Sequence, residues 1–259
     1  LLPVLLSHKT CPIIKASTER SEQLPFIFFT FVRMANSASL DLNIHETLAL
    51  LKNEVTEAEK GGQRVIMTSS FQTQSVPLLH LVSLHFPDIQ ICFLDTGFHF
   101  PQTYAFKDQL KADFGLRVIE LRSDKSYMEQ RGPDGLFLYA SDTDRCCHIN
   151  KVEPLERFMQ KGDRWISGVR RDQTAHRRNM KPVEWDALGR KRIHPMLDWK
   201  SKDIYAYINQ NQLPTHPLDI AGYESIGCVP CTQPCSQQRD GRWEGSQKTE
   251  CGLHFSDDR

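Results

Sequence analysis

At 259 residues the chain can bury a full hydrophobic core, and one domain with a tail is the simplest organisation to expect. Its 32 Lys and Arg residues balance its 32 Asp and Glu residues. No overall field therefore draws the chain to nucleic acid or to an anionic membrane, so we expect neither as a partner, and any anion site must be local.

Residues 1–33 differ in composition from the rest, and their apolar run, 24–32, is too short to cross a bilayer. A membrane span needs about 20 apolar residues. Met34 and the Ala-Asn-Ser after it resemble a natural start, so we predict that residues 1–33 are an N-terminal extension outside the fold, with a targeting segment as the alternative. We place the main domain at 34–225 and a C-terminal segment at 226–259.

Helical and strand patterns alternate along the main domain. Asn43 and Glu46 fit a capping box, which predicts a helix from there to Gly61, and Ser201 is the expected cap of a late helix. Another helix is expected after Cys147. Apolar runs predict strands at 64–68, 89–94, 117–121 and 164–167, and helices at 76–86 and 101–114. This alternation predicts an α/β fold with a mainly parallel, doubly wound sheet.

Three polar loops follow predicted strands, at 69–75, 95–97 and 168–173. In doubly wound sheets, ligands bind beyond the carboxyl ends of the strands, where these loops lie. They carry hydroxyls, one carboxylate and two guanidiniums, which suits a nucleotide with an acidic group attached. Loop 69–75 also opens a helix, whose first amides can hold phosphate, although Ser and Thr at such a place often serve only as helix caps.

Four of the eight cysteines form two close pairs, Cys146 with Cys147 and Cys228 with Cys231. An adjacent pair and a Cys-x-x-Cys pair are more typical of metal ligands in a reducing compartment than of disulfides. Structural zinc usually takes two spaced pairs, whereas an adjacent pair suits a larger cubane, so the pattern favours a [4Fe–4S] cluster over zinc. Cys235 could extend the second pair, and we interpret it as a spare thiol.

Cys251 differs from these four, because it is isolated near the end of the chain. Arg239 and Arg242 precede it, and cations lower the pKa of a thiol and so create thiolate. The alternative, an idle buried cysteine, is disfavoured by Gly252 and the polar flanks. The sequence therefore predicts a reactive thiol separate from the metal site.

Six ordered motifs together resemble the assimilatory adenylyl-sulfate and phosphoadenylyl-sulfate reductases. They are Ser69-Ser70-Phe71, Leu94-Asp95-Thr96-Gly97, Cys146-Cys147 with 151–155, 168–173, 226–231 and 250–254. The resemblance implies an adenine-nucleotide α-hydrolase-like (PP-loop) fold with a catalytic tail. It also implies that a terminal cysteine attacks the sulfate sulfur, that AMP leaves, and that a cysteine S-sulfonate remains.

The resemblance assigns roles by position. Cys251 is the implied nucleophile, and a [4Fe–4S] cluster, which marks the members that prefer adenosine 5′-phosphosulfate, is implied on Cys146, Cys147, Cys228 and Cys231. Phosphate and sulfate contacts are implied for Lys151, Arg177, Arg239, Arg242 and His254. The loops supply the remaining expected substrate contacts: Ser69, Ser70, Phe71, Gln74, Asp95, Thr96, Gly97, Gly168, Arg170 and Arg171. Thioredoxin or glutaredoxin is the implied electron donor and the cytoplasm the implied location, and an assembly of identical chains is left open.

The sequence departs from the family pattern at Gln72, where most relatives carry Gly. This loop and Gly241-Arg242-Trp243 are nearer to the cluster-free phosphoadenylyl-sulfate enzymes. We let the cysteines decide and expect an adenosine 5′-phosphosulfate reductase, with a 3′-phosphoadenylyl-sulfate or dual-specificity enzyme as the alternative. A PP-loop RNA thiolation enzyme is remote, because its Ser-Gly-Gly-x-Asp-Ser loop is missing, and a zinc-binding interaction module is the non-catalytic alternative.

Overall fold

The computed structural model describes residues 26–235, 241–243, 248 and 250–254, with side chains from residue 38 onward except that of His254. The expected substrate contact Arg239 lies outside the described residues, and so does the side chain of His254. The chain divides into two compact units, Leu1–Ala38 and Ser39–Arg259. Every site discussed below belongs to the second unit, and the predicted boundary after residue 33 stays a prediction.

Helix α1, Phe26–Lys60, begins well before Asn43, so the predicted capping box is wrong. Residues 26–42 contain neither Gly nor Pro, and nothing in them interrupts a helix. Asn43 lies inside α1, where its Nδ2 donates to Asp203 Oδ2 at 3.2 Å. The end of the helix is as predicted, because Gly62 takes the left-handed backbone, with φ at +61°, that a glycine adopts without strain.

Six strands form one sheet in the order β3-β2-β1-β4-β6-β5. Their bounds are β1 Val65–Thr68, β2 Gln90–Leu94, β3 Arg117–Leu121, β4 Arg164–Ser167, β5 Val183–Trp185 and β6 Lys191–Ile193. All neighbouring strands pair in parallel except β5 and β6. The four predicted strands and the doubly wound class are confirmed. The β5–β6 hairpin was missed, because each of its strands has three residues and carries charge.

The chain order along the sheet reverses between β1 and β4. The chain moves outward from β1 through β2 and β3, then returns to add β4 on the other side of β1. In open α/β sheets a crevice forms at such a switch point, outside the carboxyl ends of the strands. The topology therefore places a binding crevice beside the ends of β1 and β4.

Both faces of the sheet are buried. On one face Met67, Ile91 and Ile166 join the larger core, and the residues that alternate with them, Ile66 and Trp165, join a second core on the other face. Successive side chains of a strand point to opposite faces, which produces this division. The helices after α1 in the described chain are α2 Val76–His85, α3 Pro101–Phe114, α4 Leu138–Ser141, α5 Thr143–Cys147, α6 Glu153–Phe158 and α7 Ser201–Gln210.

Two local features of the helices differ from expectation or add to it. Lys200, not Ser201, is the residue before α7, and its backbone N–H donates to Asp203 Oδ2 at 2.9 Å, so the predicted Ser201 cap is wrong. A π-helical turn, His148–Val152, joins α5 to α6 and carries Lys151. No helix in the described part of the chain has the length and apolar character that a membrane crossing requires.

Candidate active site

A cavity of about 160 Å³ opens at the switch point of the sheet. It lies beyond the carboxyl ends of β1, β2 and β4, as the topology requires. Residues that end or follow these strands line the cavity together with residues of the C-terminal segment. They include Ser69, Ser70, Gln72, Ser75, His99, Lys151, Ser167, Gly168, Gln173, Arg177, Gly227, Arg242, Trp243 and Cys251. Residues far apart in sequence therefore line one cavity.

The loop after β1 presents hydroxyls to this cavity. Ser69, Ser70 and Ser75 line it, and the Ser70 and Ser75 hydroxyls lie 3.4 Å apart. No side chain caps α2, so Ser75 is not the plain helix cap that was the alternative interpretation. Phe71 lies outside the cavity wall and is fully buried, with its ring edge against Phe93 and a left-handed φ of +52°.

Gln72 fits the loop without strain. Its φ of −86° and ψ of 164° are open to any residue, so the backbone here does not need glycine. The Gln72 Oε1 accepts from the Ile226 N–H at 3.0 Å and ties the loop to the start of the C-terminal segment. The departure from the family pattern thus adds a contact that glycine cannot make.

The loop after β2 turns its carboxylate away from the cavity. Asp95 accepts from the Tyr104 hydroxyl at 2.6 Å and from Arg122 Nε at 2.7 Å. Burial would raise the pKa of Asp95, but the hydrogen bonds from Tyr104 and the Gly97 N–H, with the Arg122 charge, hold it below its ordinary value. Thr96 and Gly97 likewise lie outside the cavity wall. The Asp95 side chain therefore bonds to Tyr104 and Arg122 and does not line the cavity.

The two guanidiniums of the loop after β4 are used inside the protein. Arg170 is fully buried, with Nη1 on Gln74 Oε1 at 2.7 Å and Nη2 on the Ser201 hydroxyl at 3.0 Å. Arg171 donates to Asp198 at 2.7 Å. Neither arginine lines the cavity, and Gln74 does not either, whereas Gly168 does. Of the predicted substrate contacts in this loop, Gly168 therefore lines the cavity, whereas Arg170 and Arg171 bond to other side chains of the protein.

Cys251 lines the cavity together with the cations Lys151 and Arg242. Burial alone would lower the pKa of Lys151, but its interactions with Cys228, Cys251 and Cys147, in that order, raise it above its ordinary value. The Arg242 guanidinium lies against Gly227 and over the Trp243 ring, 4.6 Å from its centre. The thiol is thus placed among fixed positive charge.

Cys251 also forms a hydrogen bond with Cys147. That bond lowers the pKa of Cys251, and the charge of Lys151 and the Leu253 N–H add to it, which together outweigh the opposite effect of burial. The same bond and burial raise the pKa of Cys147. The bond therefore favours a proton on Cys147 and the thiolate form of Cys251. Lys151 and the Leu253 N–H favour that thiolate whatever state Cys147 is in.

The two cysteine pairs face each other beside the cavity. Cys146 and Cys147 end α5, whereas Cys228 precedes the short turn Val229–Cys231 and Cys231 ends it. Burial, followed by the thiols of Cys228 and Cys231, raises the pKa of Cys146 to about 11. No disulfide joins the cysteines of the described region.

Hydrogen-bond donors reach two of these sulfurs. Asn150 Nδ2 lies 3.7 Å from Cys146 Sγ, and Thr96 Oγ1 lies 3.3 Å from Cys228 Sγ. Donors of this kind commonly surround metal-bound thiolates. Among the residues described, no three His, Cys, Asp or Glu side chains are grouped tightly enough to hold a metal ion. The two cysteine pairs and the polar groups near them are therefore of the kind that holds a thiolate-bound group, but their side chains do not surround one metal position.

Several cavity residues escaped prediction. Ser167 is the last residue of β4, and its hydroxyl pairs with His194 Nδ1 at 2.8 Å. His99 Nε2 donates to the Leu94 carbonyl at 2.9 Å, and burial lowers the pKa of His99 to about 4, which keeps the ring neutral. Both residues sit at or just after a predicted strand end. Their position at a strand end could have indicated that Ser167 and His99 line the cavity, although neither residue type by itself predicted a role there.

Among solved structures, the phosphoadenylyl-sulfate reductase of Candida auris, in a phosphate complex, has a similar fold. The TM-score is 0.57 at 23% identity, and the match covers 81% of this chain and 98% of that one. Fold and cavity together define a doubly wound α/β protein of the adenine-nucleotide α-hydrolase-like (PP-loop) class with a thiol at its switch point.

The chain belongs to the phosphoadenosine phosphosulfate reductase domain family, which it matches over residues 64–234. The adenosine 5′-phosphosulfate reductase of Streptomyces coelicolor is 37% identical over 225 residues, covering 85% of this chain and 93% of that protein. The phosphoadenosine 5′-phosphosulfate reductase of Gloeobacter violaceus is 40% identical over 200 residues, covering 74% and 83%. The predicted family membership is confirmed, and its relatives carry both substrate names.

Proposed function

We propose that this chain is an adenosine 5′-phosphosulfate reductase in which Cys251 is the nucleophile. The observation that carries the proposal is the position of Cys251, which lines the switch-point cavity together with the serine loop after β1. A nucleotide whose phosphate lies on that loop directs its sulfate toward the C-terminal segment. The thiolate state favoured by the surroundings of Cys251 is the state that attacks.

The chemistry balances with a dithiol donor. The Cys251 thiolate attacks the sulfate sulfur, a sulfur–sulfur bond forms, and the bond from that sulfur to the phosphate oxygen breaks as AMP leaves with the electron pair. A donor thiolate then attacks the Cys251 sulfur, sulfite leaves with the electron pair, and the second donor thiol releases Cys251 as the donor becomes a disulfide. Thioredoxin or glutaredoxin is the proposed donor.

Cations of the cavity offset the charge that gathers when a thiolate meets an anionic substrate. Lys151 and Arg242 line the cavity with Cys251 and are proposed to hold the sulfate and phosphate oxygens. Positive groups that are fixed in place where charge develops stabilise such a transition state. Arg239 and His254 are proposed to complete this set.

Cys146, Cys147, Cys228 and Cys231 are proposed to hold a [4Fe–4S] cluster. Their donor type and the polar groups near Cys146 and Cys228 support this assignment over a spare role. When bound, such a cluster supplies a fixed charge beside the cavity. The reducing conditions that this set requires support a cytoplasmic location.

Substrate preference tests the proposal. Sulfite release should be measured with anaerobically purified protein and thioredoxin, using adenosine 5′-phosphosulfate and its 3′-phosphorylated analogue. We expect kcat/KM to favour the former by about 100-fold, since a site that leaves an extra phosphate unpaired rejects it strongly. Comparable values would favour a dual-specificity enzyme. Preference for the analogue would favour the 3′-phosphoadenylyl-sulfate alternative, which the name of the Gloeobacter relative and the family departures support. Absence of sulfite from both substrates would contradict the proposed function.

Gly227→Ala should weaken substrate binding through Arg242. An added Cβ at Gly227 would lie 2.2 Å from Arg242 Nη2 and 2.5 Å from its Cζ, so the guanidinium must leave its place at the cavity. Losing one hydrogen bond to a charged group costs about 1.5–3 kcal/mol, so we expect Kd for AMP to rise by about tenfold or more. Isothermal titration calorimetry measures this change.

Gly61→Ala is the matched control for this prediction. Gly61 follows α1, away from the cavity, and an added Cβ there comes no closer than 3.3 Å, to the side chain of Gln63. Unchanged AMP affinity in Gly227→Ala would show that Arg242 does not contact the nucleotide.

A further inference from the structure

Glu250, the residue before Cys251, is completely buried and forms a two-pronged ion pair. Arg177 Nε donates to its Oε1 at 3.0 Å, and Arg177 Nη2 donates to its Oε2 at 2.8 Å. The Thr174 hydroxyl also donates to Oε1, at 2.6 Å. Arg177 is 4% exposed, so both charges are shielded from water.

This pair joins two distant parts of the chain. Arg177 lies in the short turn His176–Asn179, which follows β4, and is 73 positions from Glu250. Removing one partner of a buried ion pair leaves an uncompensated charge. The segment that carries Glu250 can therefore separate from the turn that carries Arg177 only if both side chains become hydrated. On the other side of Cys251, Arg192 Nη2 donates to the Leu253 carbonyl at 3.0 Å.

The ion pair also defines what Arg177 does in this arrangement. Its Nε and Nη2 face Glu250, and its Nη1 donates to Gln173 Oε1. Arg177 lines the cavity, yet the donor fork that could bind a substrate anion is directed at a carboxylate of the protein itself. Lys151 and Arg242 are the other cationic side chains among the described residues that line the cavity with Cys251.

We propose that Glu250 is a positioning residue, which docks Cys251 at the cavity by pairing with Arg177. The kinetic consequence rests on the proposed function, whereas the docking itself does not. Because Glu250 directly precedes Cys251, loss of the pair lets the thiol shift along with the backbone. Displacement of a reacting group by about 1 Å can cost about 100-fold in rate.

Glu250→Gln tests the proposal, because it keeps the shape of the side chain and removes its charge. We expect kcat for sulfite release to fall by about 100-fold while KM for the nucleotide changes less than about threefold, the pattern of a lost transition-state arrangement. Hydrogen exchange measured by mass spectrometry should show the peptide containing Cys251 exchanging about tenfold faster than in the parent protein. Thr174→Ala, which removes the hydrogen bond to Glu250 and the one that the hydroxyl accepts from the Arg177 N–H but leaves the ion pair, should give a smaller increase.

Glu54→Gln is the matched control. Glu54 is a buried carboxylate of α1 that pairs with Arg164 and with Lys191, the latter at 2.7 Å, and none of the three lines the cavity. Glu54→Gln should lower the free energy of unfolding to a similar degree as Glu250→Gln. It should leave hydrogen exchange of the peptide that contains Cys251 unchanged.

Parent-like hydrogen exchange in both Glu250→Gln and Thr174→Ala would overturn the docking role. A large rise in KM with kcat retained would overturn it in favour of direct binding of the substrate by Arg177. A parent protein that releases no sulfite would refute the proposed function, while the exchange result would still decide the docking.

Discussion

Cys251→Ser is expected to abolish sulfite release, with kcat lower by about 10⁴-fold or more, as is typical when the nucleophile of a covalent mechanism is removed. A serine hydroxyl keeps the shape of the side chain but has a pKa far above neutrality, so Lys151 cannot bring it to the anionic state that attacks. Single-turnover reactions without a donor should yield AMP and an S-sulfonated protein from the parent, and neither product from the variant. Mass spectrometry of the intact protein detects the adduct.

The same variant should keep its nucleotide site. The loop after β1 and Gly168 do not depend on Cys251, so AMP should bind with the affinity of the parent protein. Iron content should also be retained, because Cys251 is outside the proposed ligand set. Sulfite production by Cys251→Ser would contradict the assignment of the nucleophile, and an adduct on another cysteine would identify the residue that replaces it.

The sheet was predictable because its strands carry a strong local signal. β1 to β4 are short apolar runs between helical patterns, and two of them, Arg117–Leu121 and Arg164–Ser167, have the predicted bounds. The start of α1 was not predictable from the Asn43 motif, because a capping box caps only where a helix begins. β5 is stabilised by pairing with β6, and β6 also pairs with β4, which is a tertiary effect that periodicity does not report.

The site was predictable at the level of loops and less so at the level of side chains. A strand end predicts where Arg170 lies, but Gln74, Asp172 and Ser201 decide where its guanidinium points. Those partners come from three separate segments. Glu250 belongs to the motif 250–254, but its ion pair could not be predicted for the same reason, since its partner Arg177 is remote in the chain. An acidic residue beside a nucleophile is also ordinarily unfavourable for thiolate formation.

Lys151 links the thiol of the cavity to the cysteine pairs. Interactions with Cys228 and Cys147, as well as with Cys251, raise the pKa of Lys151. One cation therefore serves the proposed nucleophile and two of the proposed cluster ligands. This shared neighbour is a physical reason for expecting the cysteine pairs and the activity to be lost together.

Cys228→Ser is accordingly expected to cost both iron and activity. A serine in place of one thiolate leaves three ligands, and clusters of this kind are normally held by four cysteines. Iron and sulfide should be measured per chain after anaerobic purification, together with the broad absorbance near about 400 nm that thiolate-bound iron–sulfur sites show. The parent should be brown, and the variant should have lost most of its iron and sulfite release.

Cys235→Ser is the matched control, since Cys235 lies only four residues from Cys231 in the same segment. Its backbone N–H donates to the Gly222 carbonyl at 3.0 Å, and it forms a β-bridge with Tyr223, in a different setting from the two pairs. We expect the control to keep its iron and colour. If Cys235→Ser bleaches the protein while Cys228→Ser does not, Cys235 is a ligand of the cluster in place of Cys228. A colourless parent that holds zinc would instead support the zinc-binding alternative, and the four thiols would then serve structure alone.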